Sequence, residues 1–405
     1  MKRFFFMAIA LSAAVVGCTK SNLVDLPESS EALISFEPYT TKAPMTKASI
    51  MTEAELEKHD ENTDPAFHVS AFVPNEYSKP FMNKDVWCTS PSVPGVDGAE
   101  GTKASWAYEG KAYWPEGDLE FVAYGLNASK ALPTGSASKT IDFGTSYTEF
   151  TYTVSDLVSD QEDLIVSEYQ KRSSNNGAAV NLQFKHLLSK VGFSLQTNKA
   201  NDVVVTIKKV DLKGLFYTEG SVDMLKTGDD LKVDVTGKTA SAKTYTLFGH
   251  LAEDNSIVSY NPAAADAYAC YVGESKGDQV ADPIYANASI TVEENLDVSD
   301  DAPEFIEKTP VTDSDATADN RYMMLIPCTP GTADAKATIE VIYQLTDAET
   351  QTAKVELPET FKFEKGNGYE FVLKISTMAV EFDVDVIDWA TGTVADSYTL
   401  TPVVE

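Results

Sequence analysis

Cysteine is scarce in this 405-residue chain, whose only thiols are Cys18, Cys88, Cys270 and Cys328. Once Cys18 is assigned to the N-terminal signal described below, three remain. An odd set excludes a disulfide framework and leaves stability to hydrophobic cores. Histidine is as rare: His59, His68, His186 and His250 form neither an HExxH pair nor a spacing with paired cysteines, so no zinc site is expected. A GxSxG elbow, a Walker loop and a GxGxxG turn after a strand are all missing. The common hydrolase and nucleotide-binding signatures are thereby removed, and no catalytic residue, metal or cofactor is expected.

Positive charge is short as well. With 32 Lys and Arg against 62 Asp and Glu, the net charge is −30, which repels a phosphate backbone over most of the surface. Nucleic acid is excluded as a partner. The same carboxylate excess keeps a surface protein soluble.

Long apolar runs are lacking apart from residues 4–16, which follow Lys2 and Arg3 and precede Gly17 and Cys18. That run is too short for a hydrocarbon core of about 30 Å, which takes about 20 helical residues, so it reads as a cleaved export signal. The string Val15-Val16-Gly17-Cys18 resembles the bacterial lipobox. The resemblance implies cleavage between Gly17 and Cys18 and diacylglycerol on the Cys18 thiol. A lipid anchor would then tie the chain to a membrane, each buried methylene contributing roughly 0.8 kcal/mol. A plain secretory signal with a chance cysteine is the alternative.

Apolar residues, 43% of the chain, and aromatics, 10%, suffice for real cores in two domains. Short runs with period-2 alternation, separated by Gly, Pro, Asn and Asp clusters, predict an all-β sandwich protein. The clearest are residues 67–73 (FHVSAFV), 119–124 (LEFVAY), 180–195 (VNLQFKHLLSKVGFSL), 203–212 (VVVTIKKVDL), 337–345 (ATIEVIYQL), 369–375 (YEFVLKI) and 380–387 (VEFDVDVI). In the last, Val380, Phe382, Val384 and Val386 share one face while Glu381, Asp383 and Asp385 share the other. Such alternation suits antiparallel sheets with one wet face. Only residues 53–58 and 158–164 hint at helix.

The polar stretch QTNKAND between Leu195 and Val203 predicts the domain boundary. The expected division is a signal peptide over 1–17, a polar tether over 18–30, and β-sandwich domains over 31–198 and 199–405.

Side chains suited to chemistry have plain readings beside the functional ones. The acidic stretches 297–301 (DVSDD) and 313–319 (DSDATAD) offer oxygen ligands for a hard cation or are solvated loops, and neither has EF-hand spacing. His186, inside an alternating run, reads as a packed structural residue. Trp87, Trp106, Trp114 and Trp389 either stack on sugars or fill cores. Two of the many carboxylates could serve a glycosidase, but proximity means little among so many.

Several features together resemble the fimbrillin family of Bacteroidetes, the type V pilins. They are the lipobox, Ile34-Ser35-Phe36 followed by residues 40–48 (TTKAPMTKA), and residues 106–115 (WAYEGKAYWP) leading into Phe121-Val122-Ala123-Tyr124. The most specific element is residues 161–166 (QEDLIV) followed by Phe184-x-His186-x-x-Ser189-Lys190; residues 324–327 (MLIP) and 366–369 (GNGY) continue the order.

This resemblance implies two tandem Greek-key, transthyretin-like sandwiches and an outer-membrane lipoprotein in a surface fimbrium. It implies polymerisation with other fimbrial subunits, of the same or another kind, and adhesion to a host glycan or protein receptor. In such pilins a protease removes an N-terminal strand, and a neighbour's extended terminal strand fills the groove. Here Ala32, Ile34 and Phe36 form the candidate removable strand, and Tyr398, Leu400, Pro402 and Val404 alternate along the candidate donor. Ordinary edge strands are the alternative for both. The family's best-known members are cut after arginine, and residues 19–171 contain none, so Lys42 and Lys47 are the nearest basic candidates. Either a different protease acts, or the chain is an uncleaved tip, anchor or accessory subunit. A monomeric glycan-binding surface adhesin is the competing function, and a carbohydrate-active enzyme the remoter one.

Overall fold

The alternating runs fold as strands, and the computed structural model is all-β over the residues it describes: 28–40, 56–60, 65–94, 101–126, 140–155, 161–173, 178–197, 205–248, 270–272, 306–308, 323–345, 351–375, 380–388 and 394–400. The first strands are β1 (Glu28–Leu33), β2 (Phe36–Thr40), β3 (Phe67–Phe72), β4 (Met82–Ser90), β5 (Ser105–Tyr108), β6 (Tyr113–Pro115), β7 (Leu119–Leu126) and β8 (Ile141–Asp142). Next come β9 (Glu149–Thr153), β10 (Leu164–Ser167), β11 (Gln170–Arg172), β12 (Val180–His186), β13 (Ser189–Thr197), β14 (Val205–Phe216), β15 (Glu219–Asp223) and β16 (Ser241–Phe248). The last are β17 (Cys270–Val272), β18 (Ile306–Lys308), β19 (Met323–Leu325), β20 (Thr338–Leu345), β21 (Gln351–Glu356), β22 (Asn367–Ile375), β23 (Val380–Asp388) and β24 (Val394–Leu400). The helical hint over 158–164 is overturned at its described end, where residues 161–163 are irregular and Leu164 opens β10.

An eight-stranded sheet in the order β2-β12-β10-β7-β3-β4-β5, with β11 also on β7, organises the first part of the chain. Its pairs are antiparallel except for β2 on β12, which is parallel. The expected single wet face does not hold for its centre, because every residue of β3 and β7 is buried. The reason is that apolar layers cover both faces. On one side Phe67, Val69, Ala71, Phe121 and Ala123 meet Ile34, Phe36 and Trp114. On the other, Phe72, Val122 and Tyr124 meet Phe150, Tyr152 and Val222 from a small sheet ordered β15-β9-β8.

The second part of the chain is a sandwich of two sheets. One runs β18-β13-β22-β23-β24 with β19 on β13; the other runs β16-β14-β20-β21 with β17 on β14. Their facing sides supply one core, Val191, Tyr369, Phe371 and Val384 against Val210, Leu212, Ile339 and Val341. Burial of Val384 and Val386 matches the alternation read in residues 380–387.

Two strands cross the expected 198/199 division. β13 lies before it yet pairs with β22, and β15 lies after it yet pairs with β9. Met324 and Ile326 also reach back into the layer that holds Tyr124 and Leu187.

Candidate functional site

Phe36, Pro38 and Thr40 alternate on one face of β2, and these three together with Ile34, just before the strand, are buried while Ser35, Glu37 and Tyr39 are half-buried. Pairing with β12 runs Phe36 opposite Val180, Pro38 opposite Leu182 and Thr40 opposite Phe184. The Val180 N–H donates to the Ser35 carbonyl at 2.7 Å. In a parallel ladder centred on Phe36 and Val180, the bonds to β12 fall to Ser35, Glu37 and Tyr39. Pro38, which has no N–H to give, therefore sits at a position where the ladder asks for none.

The other side of this segment turns toward β5 and the stretch before β6. Ile34 N–H donates to the Ala112 carbonyl at 2.9 Å, and the Tyr108 hydroxyl donates to the Ile34 carbonyl at 2.7 Å. Lys103 on the β5 side forms an ion pair with Glu37. Phe36 is clasped edge-on by Phe67, Tyr108 and Phe121, with ring centroids 6.3, 5.8 and 6.3 Å away. Ala32 packs half-buried against the same cluster, and β1 adds an antiparallel pairing with β6. β2 thus plugs the slot between the two ends of the curled eight-stranded sheet.

Of the candidate donor residues, Tyr398 and Leu400 lie on β24, opposite Val384 and Phe382. β24 is an edge strand, with β23 its one paired neighbour among the described residues. Pro402, Val404, Lys42, Lys47, Gly17 and Cys18 lie outside the described residues, as do Trp389 and both acidic stretches. Trp114 is fully buried in the core beside Phe121, and Trp106 leans on Phe67 with ring centroids 5.7 Å apart, so these two fill a core.

The segment 184–190 forms the joint between the two halves. Asp163, His186, Ser189 and Lys190 are all buried there, and His186 Nδ1 hydrogen-bonds Asp163 Oδ2 at 2.8 Å. The Ser189 hydroxyl donates to the Glu364 carbonyl at 2.8 Å, and Gly366 N–H donates to the Leu188 carbonyl at 2.9 Å. Gln161 closes the joint from the other side: its Oε1 accepts the Met324 N–H at 2.7 Å, and its Nε2 donates to the Ser155 carbonyl at 2.9 Å. Lys365 Nζ donates to the carbonyls of Gly228 and Leu231 at 2.9 and 2.8 Å.

Burial pulls the Lys190 ammonium down to about 8, against the upward pull of Glu370 and then Asp163. His186 is packed and hydrogen-bonded, as its place in an alternating run implied. The parts played by Gln161, Asp163 and Glu370 carried no spacing signal, because partners distant in sequence meet only once the sheets dock. Among the described residues, no three His, Cys, Asp or Glu side chains cluster as metal ligands.

The Fimbrillin-like family's sequence pattern matches residues 93–272. Among curated proteins nothing matches the chain. A fimbrial protein from Bacteroides vulgatus superposes with a TM-score of 0.43 at 16% identity, over 88% of this chain and 99% of its own. A candidate cell adhesion protein from Bacteroides uniformis does so with a TM-score of 0.44 at 13% identity, over 89% and 100%. A fimbrial assembly protein from Parabacteroides distasonis gives 0.34 at 11% identity, over 83% and 90%. The matched stretch contains neither β2 nor β24. Residues 93–272 of this chain thus match the Fimbrillin-like family, the one that several of its motifs resemble.

Proposed function

We propose that this chain is a structural or tip subunit of a surface fimbrium, exported and lipid-anchored through Cys18, that polymerises with other fimbrial subunits by strand exchange. The observation that carries the reading is the seat of β2. Its outward pull would bare a stripe of core lined by Phe67, Phe121 and Phe184 together with the unpaired ladder groups of β12. An open groove of that kind is costly in water, and an incoming strand removes both penalties at once. The match of residues 93–272 to a fimbrillin-like pattern supports the same reading.

On this proposal residues 31–198 and 199–405 act as two sandwich units, with β13 and β15 exchanged across the joint. Cutting after Lys42 or Lys47 frees β2, and the edge strand β24 leaves β23 to become the donor.

Limited trypsin digestion of the purified mature protein, followed by unboiled gel electrophoresis, tests it. Ladders of stable polymers that vanish when residues 396–405 are deleted are the expected result. A monomer persisting under every digestion condition would overturn the proposal.

A further inference from the structure

Trp106 and Trp114 belong to the core inside the curled eight-stranded sheet, but Trp87 packs into none of the three apolar clusters of the described residues. Alternation explains where it goes. Met82, Val86 and Cys88 are the buried positions of β4, so Trp87 stands on the opposite face, half-buried. Over β3 and β7 that face is roofed by the small sheet β15-β9-β8, and the apolar layer there includes no described residue of β4 or β5. Opposite Trp87 on β5 is Ala107, exposed like Ser105 two places before it, so only a methyl group flanks the indole on that side.

Acceptors border the ring. Asp85, two places along β4 on the same face and partly exposed, takes the His68 Nδ1–H on Oδ1 at 2.8 Å, a bond that fixes its orientation and leaves a carboxylate with acceptor capacity to spare. The Thr89 hydroxyl donates to the Ser105 carbonyl at 3.1 Å, so its oxygen remains an acceptor. A register shift between Cys88 and Ser90 sets Thr89 at this end of the face. Glu109, just past β5, adds an exposed acid, while Lys103, just before β5, is paired with Glu37. Trp87 also carries a cost that space-filling does not require. Its Nε1–H is buried and meets no acceptor among the described residues, a penalty that phenylalanine would avoid.

We propose that the outer face of β4 and β5 binds a neutral saccharide, with Trp87 carrying the C–H face of a pyranose ring and Asp85 and Thr89 accepting from its hydroxyls. A flat aromatic surface edged by a few fixed polar groups suits a ligand that is apolar on one face and a hydroxyl donor at its rim. Charge selects the kind of sugar. Asp85 and Glu109, on a chain of net charge −30, repel sialylated or sulfated chains. Asp85 already faces His68, which favours hydroxyls over an ammonium as its further partner. The site does not depend on strand exchange. Trp106 and Tyr108 turn the other way, toward Phe67 and Phe36, so Trp87 lies across the sheet from the seat of β2 and stays open in a polymer.

Binding of the intact mature protein to a printed panel of galactose-, glucose-, mannose- and fucose-ended oligosaccharides, each beside a sialylated or sulfated counterpart, tests the site. The expected result is binding to a neutral chain, about tenfold or more weaker for its charged counterpart. That binding should fall about tenfold or more in Trp87→Ala and in Ala107→Tyr, which covers the indole, and survive in part in Trp87→Phe. Melting curves check each variant, and if Trp87→Ala does not fold, Ala107→Tyr, an addition at an exposed position, decides alone. Binding to no member of the panel, binding indifferent to the variants, or preference for the charged chains would overturn the site. Competition by oligolysine as strong as by the free sugar would assign the face to a basic partner and overturn it too. Sugar binding by a protein that forms no ladders after trypsin would sink strand exchange and uphold this site.

Discussion

Lys190 on β13 lies diagonally across a parallel ladder from Glu370 on β22, and the residue opposite each of them is a glycine, Gly368 and Gly192 respectively. With no side chain standing between them, a buried ammonium and a carboxylate share the joint between the two halves. Asp163 contributes the second negative charge.

Removing this ammonium alone leaves Asp163 and Glu370 without their cation, so Lys190→Met should destabilise the protein by about 3 kcal/mol at pH 7. The pH dependence has a definite sign. Because burial lowers the folded-state value of Lys190 to about 8 from 10.5, the unfolded chain holds the proton more tightly through that interval. Stability contributed by this group therefore rises as pH climbs from about 8 toward 10, and is flat below 8. Urea unfolding at pH 7, 8.5 and 9.5 should show that rise in the parent protein relative to Lys190→Met. Parallel curves for the two proteins would contradict it.

Phe36 fills the slot that holds β2 in place, and truncating it leaves a hole edged by three aromatic rings. Phe36→Ala should cost about 3 kcal/mol, since a large side chain is lost from a site with little room to collapse. The loss is local to β2. Limited digestion followed over time should show faster release of the N-terminal segment and earlier polymer ladders, while Phe36→Leu stays close to the parent.

Both cysteines with described side chains are sheltered. Burial pushes the Cys328 thiol up to about 12 and raises that of Cys88, so few thiolates exist at pH 8. In the folded protein these two should react with a disulfide reagent at least tenfold more slowly than in urea, read at the level of individual peptides. Rapid labelling of Cys328 at pH 8 without denaturant would show that the core of the second half, against which it packs, opens there.

Fold class was legible because pleated strands impose period 2 on their side chains wherever one face is dry. Strand partners were not. Alternation is the same whether a neighbour runs parallel or antiparallel, so nothing in residues 36–40 disclosed that β2 lies parallel to β12. Nor did residues 180–195, which read as one run, disclose that Leu187 and Leu188 divide it between two sheets. Residues 67–72 and 119–126 are buried throughout because layers from distant parts of the chain cover both faces, which a short window cannot register. Ile34 and Phe36 were visible as an apolar island in a polar stretch; their clasp by Tyr108 and Ala112 was not, because the slot exists only after the sheet has curled.

Met324, on β19, and Ile326, just after it, sit in the apolar layer of the first half while β19 is hydrogen-bonded into the second. A load pulling the chain's two ends apart must therefore shear a common interior before either half can yield separately. Heat meets the same obstacle: calorimetry on the intact chain would register one melting event where independent beads on a string would give two.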